Sequence, residues 1–213
     1  MSVPSLFTIP KNLLFSLGLP SAENTHYQLP PEELINGCLE GKEGYLSNTP
    51  KQDAGKDIVA SKPVEHRFIV KDATTGSIVD WNKHHPLTIT DFDSIYRQMI
   101  DYLGTGDIWI RDLYADVMQT RLRLRVINED PCGNLFAYNM FISPGKEDLE
   151  SFNPDWHIIH MPTFFSDIKK DGSGTSHFIL ASFSKRVILI GGSQCSREIR
   201  NAIVDMISLI LPG

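Results

Sequence analysis

The stretch RVILIGGSQCSREIRNAI, residues 186–203, contains the clearest local signal in the chain. Four branched aliphatic residues lead into Gly191 and Gly192, and a polar segment with helical spacing follows. This order predicts a buried strand that ends in a glycine turn and opens into a helix. A helix start after such a turn can hold an anion or a catalytic side chain, so the segment is also a candidate site.

The helix that follows the glycine turn has the strongest periodicity in the sequence. Its apolar residues recur at helical spacing, and Pro212 with Gly213 should end it. A stripe of this kind predicts a helix that covers one face of a sheet. The stripe comprises Ile199, Ala202, Ile203, Met206, Ile207 and Ile210.

Strand and helix patterns alternate through the rest of the chain. Strands are predicted over 107–115, 122–128, 156–162, 177–183 and 186–192, and short helices within 134–142 and 144–152. Two further helices are predicted in LPPEELINGCLEG, with Leu34, Ile35, Cys38 and Leu39 on one face, and in TDFDSIYRQMIDYLG, with Thr90 as its cap. Residues 67–81 read as two strands joined at Gly76, and KKDGSGTSHF as a loop. The pattern predicts an α/β (α+β) fold, a mixed β-sheet flanked by helices.

Composition restricts the classes of partner. The 213 residues are 41% hydrophobic and 22% charged, with a net charge of −6, which argues against a nucleic-acid or anionic-membrane surface. No apolar run approaches the ~20 residues that a membrane-spanning helix needs, so no membrane insertion is expected. Three cysteines without a CxxC spacing predict free thiols in a reducing intracellular compartment, either the cytoplasm or the mitochondrial matrix.

The first twenty residues differ from the remainder. They contain one lysine and no acid, and two prolines, Pro4 and Pro10, interrupt them. We interpret residues 1–20 as an N-terminal arm that packs its Leu and Phe side chains on a single domain over 21–213; a degenerate transit peptide is the alternative.

Local motifs do not define a reaction. His157 and His160 lie on a predicted strand at a spacing that points them to opposite faces, which argues against a shared metal ion. Arg121, Arg123 and Arg125 alternate with apolar residues and form one basic strand face, which could pair with acids, lie at an interface or bind an anion. No phosphate-binding GxxxxGK[ST] loop occurs.

Several segments together resemble the N-terminal domain of ATP-dependent phosphoenolpyruvate carboxykinases. The resemblance runs in order from about residue 12 to 212. NLFAxNMFIxP, and ILIGG followed by a glutamate and a helix, are its most specific motifs. The matching segments are HRFIVKD (66–72), IWIRDLYA (108–115), LRLRVINED (122–130), NLFAYNMFISP (134–144), FNPDWHII (152–159) and KRVILIGGSQCSREIRNAI (185–203).

The resemblance implies a reaction that needs more than this domain. In the family, oxaloacetate is decarboxylated and phosphorylated in a cleft between two domains, and the second domain supplies the ATP phosphate loop and most metal ligands. The present sequence ends where that domain would begin. Since phosphoryl transfer depends on positioning and on metal and lysine charge, we expect no carboxykinase reaction on this polypeptide alone, and no bound cofactor or metal.

The resemblance also implies that site positions have changed. Lys62 stands where the family's TGRSPKDRF has the arginine that binds the substrate carboxylate, close to Arg67. Cys195 and Asn201 stand where GGTxYAGExKKG has a substrate tyrosine and a metal-binding lysine. Ser143 replaces the arginine of FIRP, while Gly133 and Tyr138 replace the histidine and arginine of HNLFAR. We therefore expect Lys62, Arg67 and Cys195 to be vestigial substrate positions and Asn201 a vestigial metal position.

Three functions follow as hypotheses. The first is a non-catalytic structural or interaction subunit, in which a protein partner or a second copy covers the face that the second domain would occupy. The second is a sensor that binds a dicarboxylate or phosphoenolpyruvate weakly at Lys62 and Arg67. The third is one half of a split carboxykinase, although such an enzyme would still need the tyrosine and lysine that Cys195 and Asn201 replace.

Overall fold

In the computed structural model, the strand predicted over 186–192 forms as β10 (Val187–Gly191) and is buried along its whole length. It pairs in parallel with β6 (Trp156–Met161) and antiparallel with β9 (Phe178–Ser182), which is also fully buried. Strands without an exposed face require a packed layer on each side of the sheet. The structure describes residues 13, 18, 24–40, 67–117, 119–166, 168–170, 173–175, 177–207 and 209.

Five more strands complete a sheet of eight. They are β1 (Thr25–Tyr27), β2 (Arg67–Val70), β3 (His85–Leu87), β4 (Ile108–Val117) and β5 (Thr120–Asn128). The order across the sheet is β1-β4-β5-β6-β10-β9-β2-β3. β5, β6 and β10 are parallel, whereas the antiparallel β4–β5 and β10–β9 pairs reverse the direction on both sides. The predicted mixed sheet flanked by helices is confirmed.

Five α-helices accompany the sheet in the described part of the chain. They are α1 (Pro31–Glu40), α2 (Ile89–Leu103), α3 (Pro131–Met140), α4 (Lys146–Glu150) and α5 (Arg197–Ala202), which continues as a π-helical turn over Ile203–Ile207. α2 forms where it was predicted, but its cap is Thr88 rather than Thr90. The Thr88 side chain accepts a hydrogen bond from the Asp91 N–H. No helix in these ranges is long and apolar enough to cross a membrane.

Two apolar cores lie on opposite faces of the sheet. On one face, α2 packs Phe92, Ile95, Met99 and Leu103 against the strands, and Leu13 joins the same cluster. On the other face, the helix after β10 buries Ile199, Ala202, Ile203 and Ile207, as its periodicity predicted. The side chain of Met206 and the residue Ile210 lie outside the described part, as does most of the predicted arm over 1–20.

The two glycines after β10 have structural roles. A Cβ atom on Gly191 would lie 2.3 Å from the ring of Phe178, its partner on β9, so only glycine fits there. Gly192 has a φ of 71°, a left-handed conformation that lets the chain leave the strand sharply. Its N–H donates to the Met161 carbonyl, which holds the turn against the end of β6.

Three local predictions are wrong. Residues 77–81 turn instead of forming a strand, because the Asp72 carboxylate accepts from the Thr74 and Thr75 N–H groups and the Thr75 hydroxyl donates to the Val70 carbonyl. Part of the predicted KKDGSGTSHF loop pairs as β7 (Ile168–Lys170) with β8 (Ser173–Thr175). In α1, the predicted apolar face that includes Leu34 and Ile35 does not pack as one, because Leu34 is buried whereas Ile35 is 43% exposed.

The expectation of three free thiols is also wrong. Cys38 on α1 and Cys132 on α3 form a disulfide, with Cα atoms 5.3 Å apart and 94 residues of sequence between them. Among the described cysteines, Cys195 is the free one. The sequence could not reveal this pair, because its two members are distant in the chain and meet only through helix packing.

A buried ion pair lies on the α2 side of the sheet. The Arg125 guanidinium on β5 donates two hydrogen bonds, of 2.7 and 2.8 Å, to the fully buried Asp112 carboxylate on β4. The Tyr27 hydroxyl on β1 donates a third, 2.7 Å long, to the same carboxylate. Burial, followed by the charge of Asp112, raises the pKa of Tyr27 far above its usual value. This cluster joins β1, β4 and β5.

The ion pair provides a test of what holds this side of the sheet together. Asp112→Asn leaves the Arg125 charge buried and unpaired, which should lower the free energy of unfolding by ~3–5 kcal/mol in urea titration. The matched control is Asp116→Asn, since Asp116 pairs with Arg121 in the same two-strand register but in solvent. That control should remain close to wild type. Equal losses in the two variants would contradict this account.

Candidate functional site

Three loops meet at one edge of the sheet. β5, β6 and β10 are parallel, so the residues after Asn128, Met161 and Gly191 emerge together. In open α/β sheets, ligands bind in the crevice beyond the carboxyl ends of the parallel strands. This carboxyl edge is the place where the fold favours a binding site.

A cavity of about 500 Å³ opens at the carboxyl edge. Its walls come from α1, the end of α2, the start of α3 and the loops after β5, β6 and β10. Polar groups line it, including three acidic side chains, and no lysine or arginine occurs among its described lining residues. The polar lining includes Asp107, Glu129, Asp130, Thr163, Gln194 and Ser196.

Glu129 is the most constrained carboxylate in this cavity. Its two oxygens accept hydrogen bonds from the N–H and the hydroxyl of Thr163, and the Thr163 hydroxyl lies 2.9 Å from the Tyr102 hydroxyl. Burial raises the pKa of Glu129, while the hydrogen bonds from Thr163 oppose that rise. Glu129 thus links the loop after β5 to the loop after β6.

A buried chain of hydrogen bonds supports the loop that leaves β10. The side-chain amide of Asn134 on α3 donates to the side-chain oxygen of Asn128 over 3.3 Å. The side-chain nitrogen of Asn128 in turn lies 3.4 Å from His160 Nδ1. His160 Nε2 lies 2.9 Å from the Ser193 carbonyl oxygen. Burial lowers the pKa of His160, so the ring is neutral and can donate to Ser193 while it accepts from Asn128.

Arg111 lies at the other end of this series of hydrogen bonds. Its Nε donates to the Asn134 side-chain oxygen over 2.9 Å, and its Nη2 donates to the Leu29 carbonyl. The guanidinium also lies 5.1 Å from the centre of the Tyr138 ring, in a cation–π contact. Burial lowers the pKa of Arg111 to about 10. This arginine therefore ties the segment before α1 to the start of α3.

Comparison with known proteins is consistent with this architecture. The sequence matches the family model for ATP-dependent phosphoenolpyruvate carboxykinase over residues 23–213. The chain belongs to the ATP-dependent phosphoenolpyruvate carboxykinase family. The resemblance inferred from the sequence motifs is confirmed.

Individual relatives show how much of a carboxykinase the chain represents. It is 36% identical over 189 residues to the phosphoenolpyruvate carboxykinase (ATP) of Christiangramia forsetii, covering 88% of this chain and 36% of the relative. The corresponding proteins of Flavobacterium johnsoniae and Amoebophilus asiaticus are 31% and 30% identical, and the matches cover 38% and 40% of their lengths. The chain thus spans well under half the length of these carboxykinases and corresponds to their N-terminal part.

Arg67, one of the predicted carboxykinase site residues, has carboxylate partners within the chain. It is the first residue of β2, and its guanidinium donates to Asp205 and, over 3.4 Å, to the buried Glu198 on α5. The side chain of Arg67 is 27% exposed. Two internal carboxylates therefore contact Arg67, which was predicted as a vestigial substrate position close to Lys62.

The other predicted site residues lie along the segment after β10. Cys195 is half-buried in the loop, and its N–H donates to the Ser193 hydroxyl over 3.3 Å. Asn201 is half-buried on α5, one turn after Glu198. Since Arg67 on β2 contacts Glu198, the helix that contains Asn201 also contacts Arg67. Lys62 lies outside the described residues.

Two further positions that the resemblance marks as substituted contribute to packing. A Cβ atom on Gly133 would lie 2.7 Å from the Asn128 amide nitrogen, so glycine allows α3 to approach the end of β5. Tyr138 stacks on Arg111 instead of supplying a charge. Ser143 is exposed beyond the end of α3.

The structure shows where the two β6 histidines and the three β5 arginines lie and what the arginines contact. His160 and His157 lie on opposite faces of β6, and no cluster of three or more His, Cys, Asp or Glu in the described ranges could hold a metal ion. The three strand arginines pair with acids, which was the first of the alternatives. The pairs are Arg121 with Asp116, Arg123 with Asp155 and Arg125 with Asp112.

Sequence reasoning missed the cavity and the polar chain behind it. Glu129 and Asp130 follow a predicted strand, and acids that follow a strand at a carboxyl edge are a recognisable signal. Asn128 and Asn134 carried no comparable signal, because only tertiary contacts show that they are buried and hydrogen-bonded to each other.

The half-buried His157 on β6 should make stability depend on pH. Burial, followed by the charge of Arg125, lowers the pKa of His157 to about 4. Between that value and the usual pKa of ~6.5, the unfolded chain binds more protons than the folded one, so the free energy of unfolding should fall as pH falls through this window. His157→Gln should flatten the decline by up to ~3 kcal/mol in urea titrations from pH 7 to pH 4.

The control for the pH experiment is His177→Gln, because the His177 side chain is exposed. It should leave the pH profile of unfolding as steep as in the wild type. A His157→Gln profile that coincides with those of the wild type and of His177→Gln would refute the assignment of this pH dependence to His157.

Proposed function

We propose that this polypeptide is a non-catalytic, carboxykinase-derived domain that acts as a structural or interaction subunit of a larger assembly or a homo-oligomer. The observation that carries the proposal is the internal pairing of Arg67 with Glu198 and Asp205. A site that recognises a substrate carboxylate needs an available cation, and protein carboxylates already pair with Arg67, the described one of the two cations predicted for such a site.

The residues at the vestigial tyrosine and metal positions support the same conclusion. The Cys195 side chain is too short to reach where a phenol hydroxyl would act, and the Asn201 amide carries no charge. The resemblance places a metal-binding lysine at Asn201, and a neutral amide is a poor replacement for it, so we derive no catalytic step through a metal.

The carboxyl edge provides a surface for a partner. The Phe165 side chain is 60% exposed in the segment after β6, and Tyr102, at the cavity wall, is 42% exposed. Phe164, the buried residue before Phe165 in the sequence, packs edge-on against Tyr102. Exposed aromatic side chains beside a cavity are typical of protein contact sites. We assign the partner-binding face to this Tyr102–Phe165 patch.

A charge at the patch tests the assignment. Phe165→Asp should weaken the association by at least ~10-fold, because a carboxylate would be buried unpaired at the contact. Self-association is measured by sedimentation equilibrium, and a heterologous partner by affinity purification from the native source followed by binding titration.

The matched control is Ile142→Asp. Ile142 is 45% exposed, but it bridges to Tyr114, far along β4 from the carboxyl edge. This variant should associate like the wild type. A wild-type protein that is monomeric and copurifies with nothing would overturn the proposal, and equal weakening by both variants would overturn the assigned face.

The sensor alternative receives less support from the site. The cavity beside the vestigial positions is lined by carboxylates, which repel a dicarboxylate or phosphoenolpyruvate, and Arg67 has internal partners. We expect millimolar oxaloacetate or phosphoenolpyruvate to leave the Tm unchanged, because a ligand stabilises a fold only when it binds the folded state. A rise in Tm that Arg67→Gln abolishes would favour the sensor.

The split-enzyme alternative has the Cys195 and Asn201 substitutions against it. Mixing the chain with the C-terminal part of a carboxykinase relative should yield no ATP-dependent decarboxylation of oxaloacetate. Activity in that mixture would make the chain a catalytic half and would contradict the proposed function.

A further inference from the structure

α1 forms one wall of the cavity at the carboxyl edge, and few side chains anchor it. Leu34 is the buried residue of this fully described helix, while Ile35 on the same helix is 43% exposed. Gly37 and Cys38 line the cavity together with Pro131 and Cys132 at the start of α3. The position of α1 therefore depends mainly on its contact with the first turn of α3.

That contact is close and of defined geometry. A Cβ atom on Gly37 would lie 3.1 Å from the Pro131 ring, so the helices approach more closely than a larger residue would allow. The first turn of α3 is itself fixed, because the Asp130 carboxylate accepts a 2.7 Å hydrogen bond from the Gly133 N–H. Cys132 thus has a rigid position, and Cys38 is the next residue after the close approach.

The two cysteines meet at this contact. Their Cα atoms are 5.3 Å apart, within the range that a disulfide spans without backbone movement. The cavity at which they lie opens to the surface, so small thiols and disulfides can reach them. A disulfide that is accessible and closes on a cavity wall is one that solution redox conditions can make and break.

We propose that Cys38 and Cys132 form a reversible redox switch that controls how firmly α1 closes the cavity. In the oxidising direction, the two thiols lose two protons and two electrons and form one S–S bond. A small disulfide such as glutathione disulfide accepts the two electrons and two protons, and its S–S bond breaks to give two thiols. A dithiol reductant reverses the step. The oxidised form holds α1 on α3, and the reduced form leaves it to Leu34 and the Gly37–Pro131 contact.

The test uses the full chain equilibrated either with excess glutathione disulfide or with dithiothreitol. Thiol alkylation and peptide mapping should find a Cys38–Cys132 cross-link in the first condition, with Cys195 outside it as a free thiol or as a mixed disulfide with glutathione. All three cysteines should be labelled in the second. Hydrogen exchange of the amides in residues 31–40 should be at least ~10-fold faster in the reduced form, while exchange in β10 stays the same.

Two variants separate the switch from a general effect of reduction. Cys195→Ser keeps the pair and should retain the full redox difference in the exchange of α1. Cys38→Ser lacks the pair and should show fast exchange of α1 in both conditions. If Cys38→Ser does not fold, the reduced wild-type protein provides the same comparison without a substitution.

Two results would overturn the proposal. One is the absence of a Cys38–Cys132 cross-link under excess glutathione disulfide, or a cross-link that includes Cys195 instead. The other is equal exchange of residues 31–40 in the oxidised and reduced wild type, since the disulfide would then hold nothing. Neither result bears on whether the domain is an interaction subunit, so the two proposals can fail independently.

Discussion

The hydrogen bond between the neutral His160 ring and the Ser193 carbonyl holds the segment after β10 in place. Behind it, Asn128, Asn134 and Arg111 continue the chain as far as the backbone before α1. Each of these groups is buried, and a buried polar group without a partner is costly, so removing one leaves the next unsatisfied. The loops at the carboxyl edge, the start of α3 and the segment leading to α1 therefore share one support, and the cavity between them exists because of it.

Several arginines in the described part of the chain contribute to the fold through their contacts. The arginines on β5 each pair with an acid, Arg111 stacks on Tyr138, and Arg67 contacts Glu198 and Asp205. Glycine at position 133 makes room for Asn128. A catalytic site keeps some charges available for a substrate at the expense of stability, whereas the positions described here satisfy one another. This contrast is consistent with the proposal that the domain is an interaction subunit.

Much of the secondary structure could be predicted, and the errors have identifiable causes. The strands around Ile158 and Leu189 and the helix containing Ile199 carry strong periodicity, so they were placed within a few residues of their observed limits. Residues 77–81 were taken for a strand because they are partly apolar, but the side chains of Asp72 and Thr75 supply hydrogen bonds that favour a turn. Of the site, the motif around Gly191 located the loop, while the acidic lining with Glu129 was not anticipated.

By itself, the sequence determined the mixed sheet, the strand–glycine–helix unit and membership of the carboxykinase family, because these depend on local periodicity and on motifs of neighbouring residues. Only the tertiary structure decided that Arg67 pairs with Glu198 and Asp205, that Cys38 meets Cys132, and that His160 supports Ser193. These contacts join residues 33 to 138 positions apart. Their geometry follows from how helices pack on a twisted sheet, and no pattern of neighbouring residues encodes it.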